Sequence, residues 1–396
     1  MTSEDRQRRY LGIAGALRIA SISIVIAAVS CGLFQKQNDN WKLCNSDDPT
    51  AAIKGCIEII DSRKESDAKL ARALKQRAGA YMKDKRYKGA IHDYDQVIKI
   101  TPSDARAFQD RGRAYIADGE YDLAMEDLDQ GIQLDSDDAN LFIDRAVVYD
   151  KTGKRSRGIE DYDRAISLDG GSALAFGNRG NDYLGEDNYG AAIRDCGHSI
   201  SLSPSPFAYA CRGAAYYFTH EYDRAIRDLN DAISRDPENW YAFKFRGRCY
   251  FAEDDYQTAI RNYDEAIRLK ADDSGNWSAR CFAHAVIGQV DDAIKDCNHA
   301  LQILPRDPFA LDSRGFIYLK MKEYVEAKDD YNAALRVSAQ AASSPQTASS
   351  LYGRGLSEHA SGDAGGGEED MRAATQLDPH IGDKFKKYGI EEDPGQ

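Results

Sequence analysis

The chain has 396 residues, 42% hydrophobic and 30% charged, which is enough apolar content for ordered structure and excludes the disordered class. A formal net charge of −13 would repel nucleic acid unless a basic patch were segregated, so no nucleic-acid partner is expected. The acids read most simply as a solvated outer face.

Residues 1–34 form a signal segment. Arg6, Arg8, Arg9 and Arg18 precede an uncharged run from Ile19 to Phe34, and counting back to Leu11 leaves Arg18 as the only charge in a stretch long enough to span a bilayer. Positive charge ahead of an apolar run is the layout of an export signal. Three outcomes fit it: cleavage at the small residues Ala28 to Ser30, lipidation of Cys31, and an uncut signal anchor. In each the remainder of the chain lies outside the cytoplasm, on the periplasmic side, tethered to the membrane or exported.

Residues 35–70 form a tether and an N-terminal capping helix. Gln35 to Ser46 is mostly polar and reads as the tether. Pro49 to Ile60 has apolar residues at helical spacing behind an Asp pair suited to capping, which predicts a lone second helix covering the first full unit. Cys44 and Cys56 bracket its start, and in an oxidising compartment a disulfide would pin the tether to this helix; the alternative is two unrelated thiols.

From residue 71 to 381 one unit recurs. Between Arg212 and Pro237, Gly213 and Tyr216 lie on a first helix, Ala225, Leu229 and Ala232 on a second, and Pro237 stops it. Apolar spacings of three and four turn one face of each helix toward its partner, and the small residues let the backbones approach. One such hairpin cannot bury both faces, so it needs neighbours. The opening Arg recurs at Arg77, Arg111, Arg145, Arg179, Arg212, Arg246, Arg280, Arg314 and Arg354, at intervals of 34 residues apart from one of 33 and a last one of 40. A small residue follows most of these arginines, and Tyr81, Tyr115, Tyr149, Tyr183, Tyr216, Tyr250 and Tyr318 stand three residues beyond it. Proline closes units at Pro102, Pro204, Pro237, Pro305 and Pro379. The unit boundaries are 71–104, 105–138, 139–172, 173–205, 206–239, 240–273, 274–307, 308–341 and 348–381. The small polar text from Ser338 to Ser350 reads as a surface loop that explains the long interval. Gly365 to Gly367 predicts a second helix that starts late or frays in the ninth unit. Residues 382–396 form a C-terminal cap and tail, with Ile381 to Tyr388 as a short closing helix and the residues from Gly389 loose.

This pattern resembles the tetratricopeptide repeat family, and its Arg-Gly and Ala-Ile phrases look most like bacterial, often exported members. It departs from the family in placing Arg before the small residue, in lacking the early Trp and in a degenerate last unit. The resemblance implies an all-α fold, a right-handed superhelical α-solenoid of about nine helix-turn-helix repeats, that binds partners and is not itself an enzyme.

An ion-pair ladder is the most regular polar feature. An Asp stands sixteen residues after nearly every ladder Arg, pairing Arg77 with Asp93, Arg111 with Asp127, Arg145 with Asp161, Arg179 with Asp195, Arg212 with Asp228, Arg280 with Asp296 and Arg314 with Asp330, and Asn262 is the exception. A fixed separation between packed helices predicts a recurring structural contact, within one unit or across to the next. In the seventh unit Cys281, His284 and Cys297 occupy interior positions, where zinc-like ligation and a Cys281–Cys297 disulfide both fit; His299 is poorly placed as a fourth ligand, and no metal is expected. Cys196 and Cys211 are a further candidate pair, and Cys249 has no evident partner. No nucleophile–base constellation and no phosphate-cradling loop is present in the sequence, so no catalytic residue and no cofactor is expected.

The resemblance implies that first helices line a concave groove. The residues nominated for it are Arg113, Asn181, Phe207, Tyr217, Tyr241, Lys244, Arg248, Phe251, Phe282, Phe309 and Phe316, where rings would supply area and cations would select carboxylates. The expected function is a non-enzymatic scaffold or adaptor that binds a protein or peptide, held at the membrane through its N-terminal segment. The alternative is a regulatory or accessory subunit of a cell-envelope enzyme or secretion complex.

Overall fold

The computed structural model describes residues 35–338 and 345–390; the expected signal segment, part of the long turn after the eighth unit and the last six residues lie outside them. Among the described residues every regular element is an α-helix, and the chain divides into two compact units, one ending at Gly171 and the other starting at Ser172. None of these helices is long and apolar enough to cross a membrane.

The first unit carries the helix pairs Asp67–Lys83 with Tyr87–Ile100, Ala105–Asp118 with Tyr121–Leu134, and Ala139–Lys151 with Arg155–Leu168. The second carries Ala173–Gly185 with Tyr189–Leu202, Pro206–Phe218 with Tyr222–Arg235, Trp240–Ala252 with Tyr256–Leu269, Ser274–Val286 with Val290–Ile303, Pro308–Lys320 with Tyr324–Ser338, and Pro345–Ala360 with Ala364–Leu377, closed by Ile381–Lys387. Most first helices open on side-chain caps, as where Ser205 accepts from the Ala208 N–H and Asn239 from the Ala242 N–H, though Asp67–Lys83 has none. Within a pair the small residue after the ladder Arg is there for contact distance. A Cβ on Gly213 would stand 2.8 Å from Leu229, and one on Gly247 would stand 2.7 Å from Tyr263.

Four sequence expectations need correction. The polar stretch taken as a tether is helical over residues 35–44, because Trp41 joins Cys44, Cys56, Ile59 and Ala73 in one cluster. The helix Pro49–Asp61 therefore has a partner, and Gly55 lets the two approach: a Cβ there would lie 2.5 Å from the Cys44 nitrogen. The loop expected up to Ser350 gives way to helix at Pro345, where Ser349 and Ser350 donate to the Asp312 carboxylate at 3.0 and 2.6 Å. The Gly365 to Gly367 run lies inside helix Ala364–Leu377, which is capped by Asp363; Gly367 is needed there, since a Cβ would come 2.6 Å from the Gly355 carbonyl oxygen. Nor is the tail loose at its start, because Ile390 packs on the core and its N–H donates to the Phe385 carbonyl at 3.0 Å.

Candidate functional site

The ladder is a structural device with two arms. Arg280 donates from Nε and Nη2 to Asp296, both at 2.7 Å, and from Nη1 to Asp264 of the preceding repeat at 2.6 Å. Arg111 does the same with Asp127 and Asp95, and Arg145 with Asp161 and Asp129. The contact left open between "within" and "across" is thus both at once. Arg77, Arg179, Arg212 and Arg314 grip Asp93, Asp195, Asp228 and Asp330 through Nε and Nη2 in the same way. Hydrogen bonding to Asp127 and Asp161 holds the Arg111 and Arg145 guanidinium groups above their usual range, as expected for a forked, charge-assisted pair away from water. The acids of the ladder are thereby occupied in holding helices.

The cysteines are occupied too. Cys44 is bonded to Cys56, Cys196 to Cys211 and Cys281 to Cys297. The zinc-like grouping is not formed, since its two sulfurs join each other, His284 meets Gln289 at 2.5 Å and His299 packs at a tilt against Trp277 with ring centroids 4.1 Å apart. Among the described residues no group of three ligand-type side chains is placed to hold a metal ion. Cys249 is free and buried, and burial pushes its thiol up to about 12, too high for a thiolate nucleophile at neutral pH.

The second unit opens a trough of about 640 Å³. Six of the nominated residues line it: Tyr217, Arg248, Phe251, Phe282, Phe309 and Phe316. Five do not. Arg113 lies in the first unit, where Asp144 accepts from it at 2.7 Å; Lys244 is tied to Asp273 at 3.1 Å; Tyr241 packs on Phe245 with centroids 4.7 Å apart; Phe207 covers Gly177; and Asn181 is placed away from the lining. Arg113, Lys244 and Phe207 have the right spacing on a first helix but reach residues of a neighbouring element, a distinction that one helix's periodicity does not carry.

Arg248 is the distinctive polar group of the lining. Its guanidinium lies 5.1 Å from the Phe245 ring centroid, and among the described residues no carboxylate pairs with it. Burial, and then Arg248 itself, hold the nearby Lys244 ammonium below its usual range. Sequence reasoning missed the residues that the C-terminal helix brings to the same trough, Lys384, Phe385 and Tyr388. Tyr388 stands edge-on to Phe282 with centroids 5.5 Å apart and lies 6.3 and 6.4 Å from Phe316 and Phe251. The signal that could have found it is Phe385 and Tyr388 at a spacing of one helical turn, with lysines between them.

Residues 112–153 match a family model described as "TPR repeat", and residues 212–275 match one described as "Tetratricopeptide repeat". No curated protein matches the chain. Among solved structures, the Cut9–Hcn1 hetero-tetramer of the APC/C is similar at 10% identity over 85% of this chain and 85% of that one, with a TM-score of 0.52. A tetratricopeptide repeat protein from Parabacteroides merdae is similar at 15% identity over 61% of this chain and 96% of its own, with a TM-score of 0.50. At such identities the likeness speaks to the fold, and the fold is the helix-pair array already described. The two matched stretches are thus similar to tetratricopeptide repeats, and the register of the ladder Arg carries the same pattern into the helix pairs on either side of them.

Proposed function

We propose that this chain is a non-catalytic scaffold that binds a protein or peptide segment in the trough of its second unit. The observation that carries the reading is the pairing of a ring-lined cavity with Arg248, a cation that has no acidic partner among the described residues. Rings supply apolar area at little conformational cost, and a guanidinium beside them selects a carboxylate on the bound segment. Three bonded cysteine pairs support an oxidising compartment, and the basic start followed by the apolar run up to Phe34 supports export or tethering of the repeats on the non-cytoplasmic side.

The test is cross-linking capture from membranes with the full chain, run beside Arg248→Glu and a Phe251→Ala/Phe309→Ala double variant. A protein retained by the parent and lost from both variants, with melting unchanged, is the expected result. Equal retention by all three chains overturns the reading.

A further inference from the structure

The trough is partly filled by its own chain. Helix Ile381–Lys387 is anchored by Ile381 and Phe385, both buried, with the Phe385 ring 4.9 Å from Tyr352 and 5.7 Å from Phe316. Beyond this anchor the tip reaches back across three repeats. The Tyr388 ring enters the Phe251, Phe282 and Phe316 cluster, its carbonyl accepts from the Lys320 ammonium at 3.0 Å, and Lys387 pairs with Asp254 at 2.6 Å. The anchor and the tip differ in strength. Phe385 is 4% exposed, whereas both partners of the Lys387–Asp254 pair are half exposed and solvent-screened, so the tip is held chiefly by the Tyr388 ring, the partly buried Ile390 and the part-buried bond from Lys320. Lys320 also donates to the Ala285 carbonyl at 3.0 Å and keeps that partner when the tip leaves.

We propose that the segment Lys387–Ile390 is an intramolecular occupant of the trough, and that the partner segment fitting this part of it carries an aromatic side chain preceded by a lysine and displaces the tip. The inference rests on the trough being the binding surface and adds what it takes and what guards it. The ring cluster accepts one aromatic side chain, Asp254 beside it selects a cation one residue earlier, and Lys320 reads a main-chain carbonyl. A covalently attached occupant competes at an effective concentration of roughly millimolar, so an outside segment binds the intact chain more weakly than a chain whose tip is removed.

The probe is a fluorescent peptide of residues 381–390, IGDKFKKYGI, titrated by anisotropy into the full chain and into a Lys387→Ala/Tyr388→Ala variant, which keeps Phe385 and Ile381 in place. The variant is expected to bind the peptide about tenfold or more tighter than the parent, and adding Phe282→Ala should reverse the gain. Equal affinities, or no binding by a variant that melts like the parent, overturn the proposal. Hydrogen exchange gives a second reading: residues 386–390 of the parent should lose protection on saturation with the peptide, and unchanged protection counts against displacement. Parent chains that dimerise by exchanging tips overturn the intramolecular assignment. If membrane capture depends on Arg248 and Phe251 yet the tip variant captures no more than the parent, this proposal falls alone; if capture ignores those residues, the trough reading falls.

Discussion

Arg246 donates to the side-chain oxygen of Asn262 at 2.7 Å, and this is the rung of the ladder where an amide stands in for a carboxylate. Its other arm also meets an amide, Asn230, at 2.7 Å, so the guanidinium is held between two neutral acceptors. Burial consequently keeps Arg246 below its usual pKa range, the reverse of Arg111 and Arg145. Asn262→Asp should therefore stabilise the protein by about 1 to 2 kcal/mol by converting a neutral bond into a forked charged one. Urea unfolding of the single variant checks this, and a midpoint equal to or below the parent's contradicts it.

The ladder also predicts unequal costs for equal truncations. Arg280→Ala strips the cation from Asp296, which is buried, and from Asp264 in the preceding repeat, and should cost about 2 to 3 kcal/mol. Arg212→Ala strips it from Asp228 and should cost about 1 kcal/mol less, because the position matching Asp264 is Gly197. In a repeat array the inter-repeat term decides whether neighbours melt together. Hydrogen exchange should accordingly show the sixth and seventh repeats uncoupled in Arg280→Ala.

Gly197 itself makes a second stabilising substitution available. A Cβ built on it would stand 3.5 Å from the Arg212 Nη1, near enough for Gly197→Asp to supply the inter-repeat carboxylate and far enough to avoid a clash. Removing a mid-helix glycine adds a few tenths of a kcal/mol, so a total gain of about 1 to 2 kcal/mol is expected. The Cys196–Cys211 bond joins the same two helices at this junction. Reduction should therefore loosen the parent here more than the Gly197→Asp chain, a difference readable as exchange protection in residues 206–218 with and without reductant.

Much of this architecture is legible in the sequence because each repeat restates the same residue at the same offset, so Arg, the small residue and Asp reinforce one another. What it hides is whatever a residue type does not advertise. Eight residues beyond the ladder Arg the backbone is left-handed, and glycine announces this at Gly119, Gly153, Gly288 and Gly362, but Lys85, Asp187, His220, Asp254 and Lys322 take the same conformation unannounced. The helix at residues 35–44 is concealed by its polar text, since a single Trp41 and a disulfide suffice to seat it. The five nominated residues outside the trough share periodicity with the six that line it. Which face meets solvent depends on the next repeat and, for Phe251, Phe282 and Phe316, on Tyr388 at the far end of the unit.

The docked tip should also respond to pH in a defined window. Hydrogen bonds from Lys387 first, and from Tyr256, hold the Asp254 carboxyl below its usual 3.8. Hydrogen bonding to Asp254 in turn holds Lys387 above its usual 10.5. A depressed carboxyl pKa means that its contribution to docking is complete above 3.8 and is lost as pH falls through the lower, docked value; the raised ammonium contributes fully below 10.5 and loses its share as pH rises through the higher one. Tyr256 and Tyr388 face the same pair, and burial raises both phenols, so neither ionises between those limits. Exchange protection of residues 386–390 should thus stay level from mildly acid to mildly alkaline pH and drop toward pH 3, while the buried anchor at Phe385 keeps its protection. Because both charges are half exposed, high salt should mimic the acid effect at neutral pH. An Asp254→Asn chain should start at the lowered level and show no further fall with acid; a fall of the same size in that chain would assign the acid response to groups other than this pair.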